Sequence, residues 1–572
     1  MDYKTEFAKL LSSRLPESDP GDIARAVEIP QDAAHGHLAY PCFRHAKQLK
    51  KAPAQIASEL AISLSEKKLP DWANKIMPAG AYVNVFLDRA DFASRTIMKV
   101  LSEGSRFGGS DAGGGRLVLV EYSSPNIAKH FHVGHLGSTM IGNAINNIYK
   151  FIGYKTVSMN FLGDWGTQFG KLITAYLRWG DKDEIERDGL DGLTKLYVRF
   201  HAEADADKAL EDEARAWVVR MQDGDTQGLS LWRWFYELSM KEFERIYKKL
   251  NVTFDVTLGE SEYNDKMRAV ADELSSKGLL KESDGAMIVD LEDYGMPPCL
   301  ILRSDGGTLY PTRDIASAFD RRARYDFHKS LYVTANEQVL HFAQWMKVIE
   351  LMGYDWAKDM AHIPYGLYIF ETGKMSTRRG EVIKMDELLN EAVGKTLEII
   401  NEKNPGLENK EAVAEKVGVG AVIFNKLYNS RIKDVVFSWE RMLNFDGETG
   451  PYVQYAHARA CSVLEKADRA GGPDGAADFD GAYLTDDEAF EIARLLYSFP
   501  ESVMEAAEKY EPFIVSRHLV AISQAFNKFY HSRTVLSDDP GERAARLALT
   551  KSVKTALRSG LALLGIEAPE RM

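Results

Sequence analysis

Apolar residues recur at intervals of three and four in FAKLLSSRL (7–15) and APAQIASELAISL (52–64), the period of a helix with one buried face. AYVNVFL (81–87) alternates instead and is rich in β-formers, which predicts a strand. GSDAGGGR (109–116) breaks the pattern and reads as a linker. LVLVEY (117–122) is an unbroken apolar run, as expected of a buried strand. A helix should follow from about His135 to Phe151, with Leu136, Met140, Ile141, Ile145 and Ile148 as its apolar stripe. VSMNFLGDWG (157–166) predicts a second strand and turn. Strand, helix and strand in this order favour a doubly wound parallel sheet of the α/β class. AMIVDL, CLILR, SLYVTA and YGLYIF predict further short strands with helices between them.

Residues 181–228 are acidic and polar and read as an insertion on the sheet. From about residue 385 the strand signal fades. MDELLNEAVGKTLEIINEK and ARLALTKSVKTALRSGLALLG predict an all-α region, with GGPDGAADFDG (471–481) as a loop inside it. The expected division is a small α+β domain over 1–112, the α/β domain over 113–385 and a helical domain over 386–572.

Composition narrows the function class. Of 572 residues, 45% are hydrophobic and 27% charged, a soluble globular balance. No run approaches the ~18 apolar residues of a membrane span, so no membrane partner is expected. The N-terminus lacks the apolar core of a signal peptide. Cys42, Cys299 and Cys461 are far apart and in no metal-ligand spacing, so neither zinc nor a disulfide framework is expected, and the compartment should be cytoplasmic. The net charge of -13 argues against a non-specific nucleic-acid coat. It leaves room for local basic patches such as RRARYDFHK (321–329), although a solvated charged face explains such a string more simply.

The candidate chemistry lies at SPNIAKHFHVGHLGST (124–139), between the first buried strand and its helix. A helix N-terminus after a strand is an anion site, because free N–H groups and the positive end of the dipole point outward. His132 and His135 sit there, and Gly134 between them lets a ligand approach the backbone. Imidazoles donate to phosphate oxygens, with protonation tunable near neutral pH. A lone histidine would be read as a core residue; the HVGH arrangement favours triphosphate binding. A second element, GKMSTRRG (373–380), follows the apolar run YGLYIF. Lys374 is a point charge suited to a β- or γ-phosphate, although a basic surface loop would look similar.

These two elements resemble the HIGH and KMSKS signatures of class I aminoacyl-tRNA synthetases. VEYSSPNIAKHFHVGHLGST, NFLGDWGTQFG, LGESEY, YPTRDIA, ANEQVLHF, KMSTRRGEV, GETGPYVQYAHAR and the terminal EAPERM resemble the arginyl-tRNA synthetase family over nearly the whole chain. The resemblance implies a Rossmann-type catalytic core, an N-terminal additional domain and a helical anticodon-binding domain. It implies two steps: arginine and ATP give arginyl-adenylate and pyrophosphate, and the terminal adenosine of arginine tRNA then takes the arginyl group. His132, His135, Lys129 and Lys374 would be the catalytic set, and Gly134, Met375 and Ser376 would complete the ATP site. Mg²⁺ would accompany the ATP phosphates. Glu121, Ser124, Asn126, Tyr310, Asp314 and Gln338 would hold arginine, with Asp314 the first choice for the guanidinium. Tyr82 and Asn84 would touch the tRNA elbow, and Tyr452, Tyr455 and Tyr530 would stack on anticodon bases. A monomer is expected.

The chain departs from the family at several positions. Proline is usual at 130 and arginine at 137, where this chain has His130 and Gly137; Glu262 stands where an aromatic is usual. Thr377 replaces the second KMSKS lysine, a loss for which a lysine at the position of Lys129 is thought to compensate in this family. Other readings are a class I synthetase for glutamine, glutamate or cysteine, a nucleotidyl transferase without tRNA, and an inactive tRNA-binding scaffold. The acidic positions Glu121 and Asp314, the absence of zinc-ligand spacing and the long helical C-terminus argue against them.

Overall fold

A computed structural model describes residues 2–15, 18–30, 33–66, 68–304, 307–370, 383–469 and 479–572. Strands are numbered here in chain order. β4 (Leu117–Glu121), β5 (Lys155–Leu162), β6 (Val256–Gly259), β10 (Lys329–Ala335) and β11 (Met360–Tyr365) form one sheet in the order β11-β10-β4-β5-β6. Every neighbouring pair in it is parallel. β4 lies at the centre, with Leu119 paired to Val157 on one side and to Ser330 on the other. A central parallel strand is covered on both faces, which is why LVLVE carries no polar alternation.

On one face, Leu119 and Tyr332 pack with Ile315, Phe342, Trp345 and Ile349. The helix Gly134–Phe151 contributes Ile141, Ile145 and Ile148 as buried positions. It is buried well beyond the expected stripe, since Ser138, Thr139, Asn143 and Asn146 are buried too. Ser138 resolves its burial by donating to Val333 O at 2.6 Å while its Oγ accepts the Ser123 N–H at 2.8 Å. The buried hydroxyl therefore ties the helix to two strand ends.

Three expectations change here. AMIV and CLIL do form strands, β8 (Ala286–Val289) and β9 (Cys299–Leu302), but they join β7 (Leu280–Ser283) in a separate antiparallel sheet. β12 (Tyr368–Phe370) pairs with β13 (Val435–Phe437), outside the main sheet. Short apolar runs specify a strand and leave its partner open. GSDAGGGR is a packed turn, with the Gly113 N–H bonded to Ile152 O at 2.8 Å and the Gly115 N–H to Gly153 O at 2.9 Å. The stretch 181–228 carries the helices Lys182–Asp188, Leu190–Ala206 and Ala209–Gln222 and the start of Thr226–Lys249, between β5 and β6 as an insertion.

The chain separates into two compact units. One comprises 1–107, 460–498 and 524–556; the other comprises 108–459, 499–523 and 557–572. The helical C-terminal region is thus shared between units. In the first, β1 (Leu38–Pro41), β3 (Tyr82–Leu87) and β2 (Ala73–Ala79) make an antiparallel sheet. The Tyr3 N–H donates to Tyr497 Oη at 3.0 Å, and Arg89 pairs with Asp487 at 2.8 Å. In the second, Tyr149 Oη donates to Ala507 O at 3.2 Å, joining the C-terminal helices to the helix that follows β4. Most of the loop at 471–481 lies outside the described residues.

Candidate active site

The chain leaves β4 through the helix Gly134–Phe151 toward β5, and leaves β10 through the helix Val339–Leu351 toward β11. β4 and β10 are neighbours whose connections run opposite ways, so a crevice opens beyond their carboxyl ends. Glu121 ends β4 and Tyr122 to His135 follow it, Gly163 to Trp165 follow β5, Glu260 follows β6, and Asn336 to Gln338 follow β10. Segments remote in sequence meet at one edge of the sheet.

The turn after β4 is held in an unusual backbone conformation. Ser123, Ser124 and Ala128 all have positive φ, at 74°, 50° and 61°. Such residues cost about 1 kcal/mol or more each and persist only where their surroundings fix them. The Ala128 N–H donates to Ser239 Oγ at 2.9 Å, and the Ser124 N–H to Asn160 Oδ1 at 3.1 Å. Ser124 Oγ is buried with no hydrogen-bond partner among the described residues. Asn126 reaches over Gly163, where a Cβ would come within 2.1 Å of Asn126 Oδ1.

The imidazoles of His132 and His135 lie 4.0 Å apart, tilted by 37°. His132 Nδ1 accepts the Gly134 N–H at 3.1 Å, and His135 Nδ1 accepts the His132 N–H at 3.1 Å. Burial pulls His132 down to about 4 and His135 well below the usual imidazole range, and the nearby Lys129 charge acts the same way. This corrects the expectation of protonation tunable near neutral pH. Both rings are neutral, and since each Nδ1 accepts, each carries its proton on Nε2. The turn therefore offers two Nε2–H donors beside the start of a helix. Burial lowers Lys129 as well, although its side chain still reaches solvent.

Lys374, Met375 and Ser376 lie outside the described residues. The chain just beyond them does meet the HVGH turn. Lys384 bridges to His132, the Val133 N–H donates to Ile383 O at 3.2 Å, and the Met385 N–H to Phe131 O at 2.9 Å.

A cluster of carboxylates occupies the same end of the sheet. Asp314 sits one turn into the helix Tyr310–Tyr325, on the side of the exposed Tyr310. Asp314 Oδ2 lies 2.5 Å from His341 Nε2. Glu260 pairs with Arg313 at 2.8 Å, yet burial pushes it up to about 7, with Asp314 and Asp164 adding to the rise. Asp164 is also raised by burial, and its carboxylate accepts both the N–H and the hydroxyl of Ser261. Glu121 was expected at the substrate. Its carboxylate instead holds the buried Arg321 at 2.5 Å, and burial raises it despite that partner. The side chain of β4's last residue points into the sheet's cover, where Arg321 lies against Phe161 and Tyr332. Among the described residues Asp314 pairs with no arginine, whereas Glu121 and Glu260 both do.

His341, Glu260 and Asp164 were not singled out from sequence, although ANEQVLHF, LGESEY and NFLGDWG contain them. His341 lies three residues beyond Gln338, one helical turn on, which was the available signal. Gln338 itself is exposed at the N-cap position of the helix Val339–Leu351.

The remaining candidates lie elsewhere. Asn84 is 3% exposed and donates to His35 O, so it is a core residue and not available at the surface. Tyr82 packs edge-on against the exposed Phe43, with ring centres 5.8 Å apart. Tyr455 is exposed beneath Arg459, with Tyr452 half-buried on the same helix. Tyr530 lines a cleft with Lys466, His531 and Arg533. The RRARYDFHK string forms no free basic patch: Arg321 is buried, Arg322 pairs with Asp326 at 2.7 Å and Arg324 with Asp320 at 2.8 Å.

A parallel sheet with HVGH at its switch point fits a class I aminoacyl-tRNA synthetase, and residues 96–439 match the family described as tRNA synthetases class I (R), catalytic domain. Residues 1–87 match the arginyl tRNA synthetase N terminal domain, and 453–572 the DALR anticodon binding domain. The chain belongs to the arginyl-tRNA synthetase family. It is 49% identical over 571 residues to the arginine–tRNA ligase of Alkaliphilus metalliredigens and 49% identical to that of Clostridioides difficile, with all of each chain covered. The arginyl-tRNA synthetase of Thermus thermophilus superposes with a TM-score of 0.82 at 26% identity, covering all of both chains. The Plasmodium falciparum enzyme shares the fold, with a TM-score of 0.81 at 23% identity, covering all of this chain and 98% of that one.

Proposed function

We propose that the crevice beyond β4 and β10 carries out the arginine–tRNA ligase reaction with Asp314 as the guanidinium partner and the HVGH turn as the phosphate partner. The arginine carboxylate oxygen attacks the α-phosphorus of ATP, and pyrophosphate leaves. A ribose hydroxyl of the terminal tRNA adenosine then attacks the acyl carbon, and AMP leaves. Neither step requires a protein nucleophile, so the protein acts by positioning and by meeting developing charge.

His132 and His135 donate from Nε2 to phosphate oxygens that gain charge as the α-phosphorus is attacked. Lys129 and Lys374 add positive charge there, with Gly134, Met375 and Ser376 against the nucleotide. Asp314 accepts from the guanidinium, and Tyr310 covers it. Glu121 acts one step removed, by fixing Arg321 and so shaping the floor of the pocket. Ser124, Asn126 and Gln338 hold the amino and carboxylate ends, and the unpartnered buried Ser124 Oγ supports that reading. Among the described residues no three His, Cys, Asp or Glu side chains group around a metal position. Mg²⁺ in this reading arrives on the ATP phosphates, and no residue is assigned to it.

The three-way division at 112 and 385 assigns elbow contact to Tyr82 and anticodon stacking to Tyr452, Tyr455 and Tyr530. Cytoplasmic residence and a monomeric state belong to the same reading. The observation that carries the proposal is the pairing pattern of the carboxylates: Asp314 is left to an outside guanidinium when Glu121 and Glu260 hold the chain's own. ATP–pyrophosphate exchange across the amino acids, with and without tRNA, tests it. Exchange with arginine alone is expected. No exchange with any amino acid in a folded sample that binds tRNA would favour the inactive scaffold.

A further inference from the structure

The HVGH turn is gripped from outside by the helical insertion, and the grip passes through His130. Its two ring nitrogens face two carboxylates from different helices. Nδ1 lies 3.2 Å from Glu242 Oε1 on the helix Thr226–Lys249. Nε2 lies 3.0 Å from Asp191 Oδ1 on the helix Leu190–Ala206. Glu242 Oε1 also accepts the Phe131 N–H at 3.4 Å, immediately before His132. Asp191 Oδ1 in turn holds Lys384 at 2.6 Å, and Lys384 is the residue bridged to His132. The same helix as Glu242 binds the next segment again, with Arg245 and Lys249 on Asp386 at 2.9 and 2.6 Å.

We propose that His130 and Glu242 are positioning residues for adenylate formation, fixing the HVGH imidazoles by tying their turn to the insertion. The inference rests on the reading of HVGH as the phosphate partner. Two physical points carry it. The turn contains Ala128 at φ 61° and Ser123 and Ser124 at 74° and 50°, a conformation that needs outside support. His130 and Glu242 are 12% and 20% exposed, so their contact is partly shielded from solvent. Asp191 is 55% exposed, and its contacts with His130, a close approach without hydrogen-bond geometry, and with Lys384 are the weaker half of the clasp.

The test is ATP–pyrophosphate exchange by the full-length protein, with tRNA present, comparing the unmodified chain with His130→Ala, Glu242→Gln, the double variant and His130→Asn. A misplaced imidazole pair should lower the exchange kcat about 10-fold in each single variant. The KM for arginine should stay within about 2-fold, because Asp314 is untouched. The double variant should lose little more than either single one, the mark of a shared contact. His130→Asn keeps a donor near the position of Nδ1 and should recover most of the rate, with thermal midpoints alike throughout. An unchanged kcat in His130→Ala would overturn the inference, as would losses that multiply in the double variant or follow a fallen thermal midpoint. If the unmodified chain itself shows no exchange with arginine, the functional reading fails and takes this inference with it, whereas exchange that the variants leave unchanged overturns this inference alone.

Discussion

In the proposed reading the two halves of the crevice meet opposite charges by opposite means. At the HVGH turn the chain presents neutral rings, with burial lowering both histidines, while the N–H groups of His132, Val133 and Gly134 are spent on holding the turn. At the Asp314 cluster it presents carboxylates, with burial raising Glu121, Glu260 and Asp164. Desolvation disfavours the charged form in both places, so histidines go down and acids go up. The consequence differs. A neutral imidazole still donates a hydrogen bond to phosphate, whereas a neutral carboxyl no longer balances a guanidinium. The acidic half therefore places Arg321 and Arg313 against Glu121 and Glu260, while among the described residues the Asp314 carboxylate meets His341 and no arginine.

The most damaging change should be to the charged half. Asp314→Asn keeps shape and removes the charge facing the guanidinium, so kcat/KM for arginine should fall by about 100-fold or more, from roughly 3 kcal/mol of lost interaction. tRNA binding measured by filter retention should not move; equal losses in both assays would remove Asp314 from the pocket. Next comes the neutral half. His135→Ala removes one Nε2–H donor and should slow adenylate formation by about 100-fold, with the circular dichroism spectrum retained. A normal single-turnover rate would take His135 out of the chemistry.

Smaller effects separate packing from charge. A Cβ at Gly137 would lie 2.6 Å from the Tyr365 ring, so Gly137→Ala should destabilise the protein by about 1–3 kcal/mol in urea unfolding. Gly137→Arg should destabilise further and bring no gain in exchange rate. The smallest effect is a pH dependence. Glu260 is raised to about 7, so it is protonated below and charged above that value. Arginine affinity by calorimetry should rise a few-fold as pH rises through about 7, and the step should vanish in Glu260→Gln. Stability should move the other way. A raised carboxyl stabilises the fold below its unfolded value near 4.5, and that contribution is lost as pH climbs through 7. Glu260→Gln should accordingly be relatively more stable above pH 7.

Local patterns made much of this legible. LVLVEY, the helix after it and HVGH between them were readable because a buried parallel strand and a helix N-terminus each leave a mark within a few residues. That Asp314 and Tyr310 share one side of a helix was readable from their four-residue spacing, whereas their choice as arginine contacts came from the family resemblance. The assignment of AMIV and CLIL to a separate sheet was not, because strand pairing depends on partners far along the chain. Asn84 and Glu121 show the same limit at single residues. Each lies on or at the end of a strand, and which neighbour its side chain faces is decided by elements dozens to hundreds of residues away.

By itself the sequence determined the α/β class, the HVGH turn between strand and helix, and the family, since motif spacing and hydrophobic period are properties of neighbouring residues. Tertiary structure alone decided which groups are charged. Desolvation depends on everything packed around a side chain, so only the fold makes His132 and His135 neutral donors on Nε2 and lifts Glu260 to about 7. It also decided that Glu121 serves Arg321, that His341 meets Asp314, and that His130 ties the HVGH turn to a helix more than a hundred residues away.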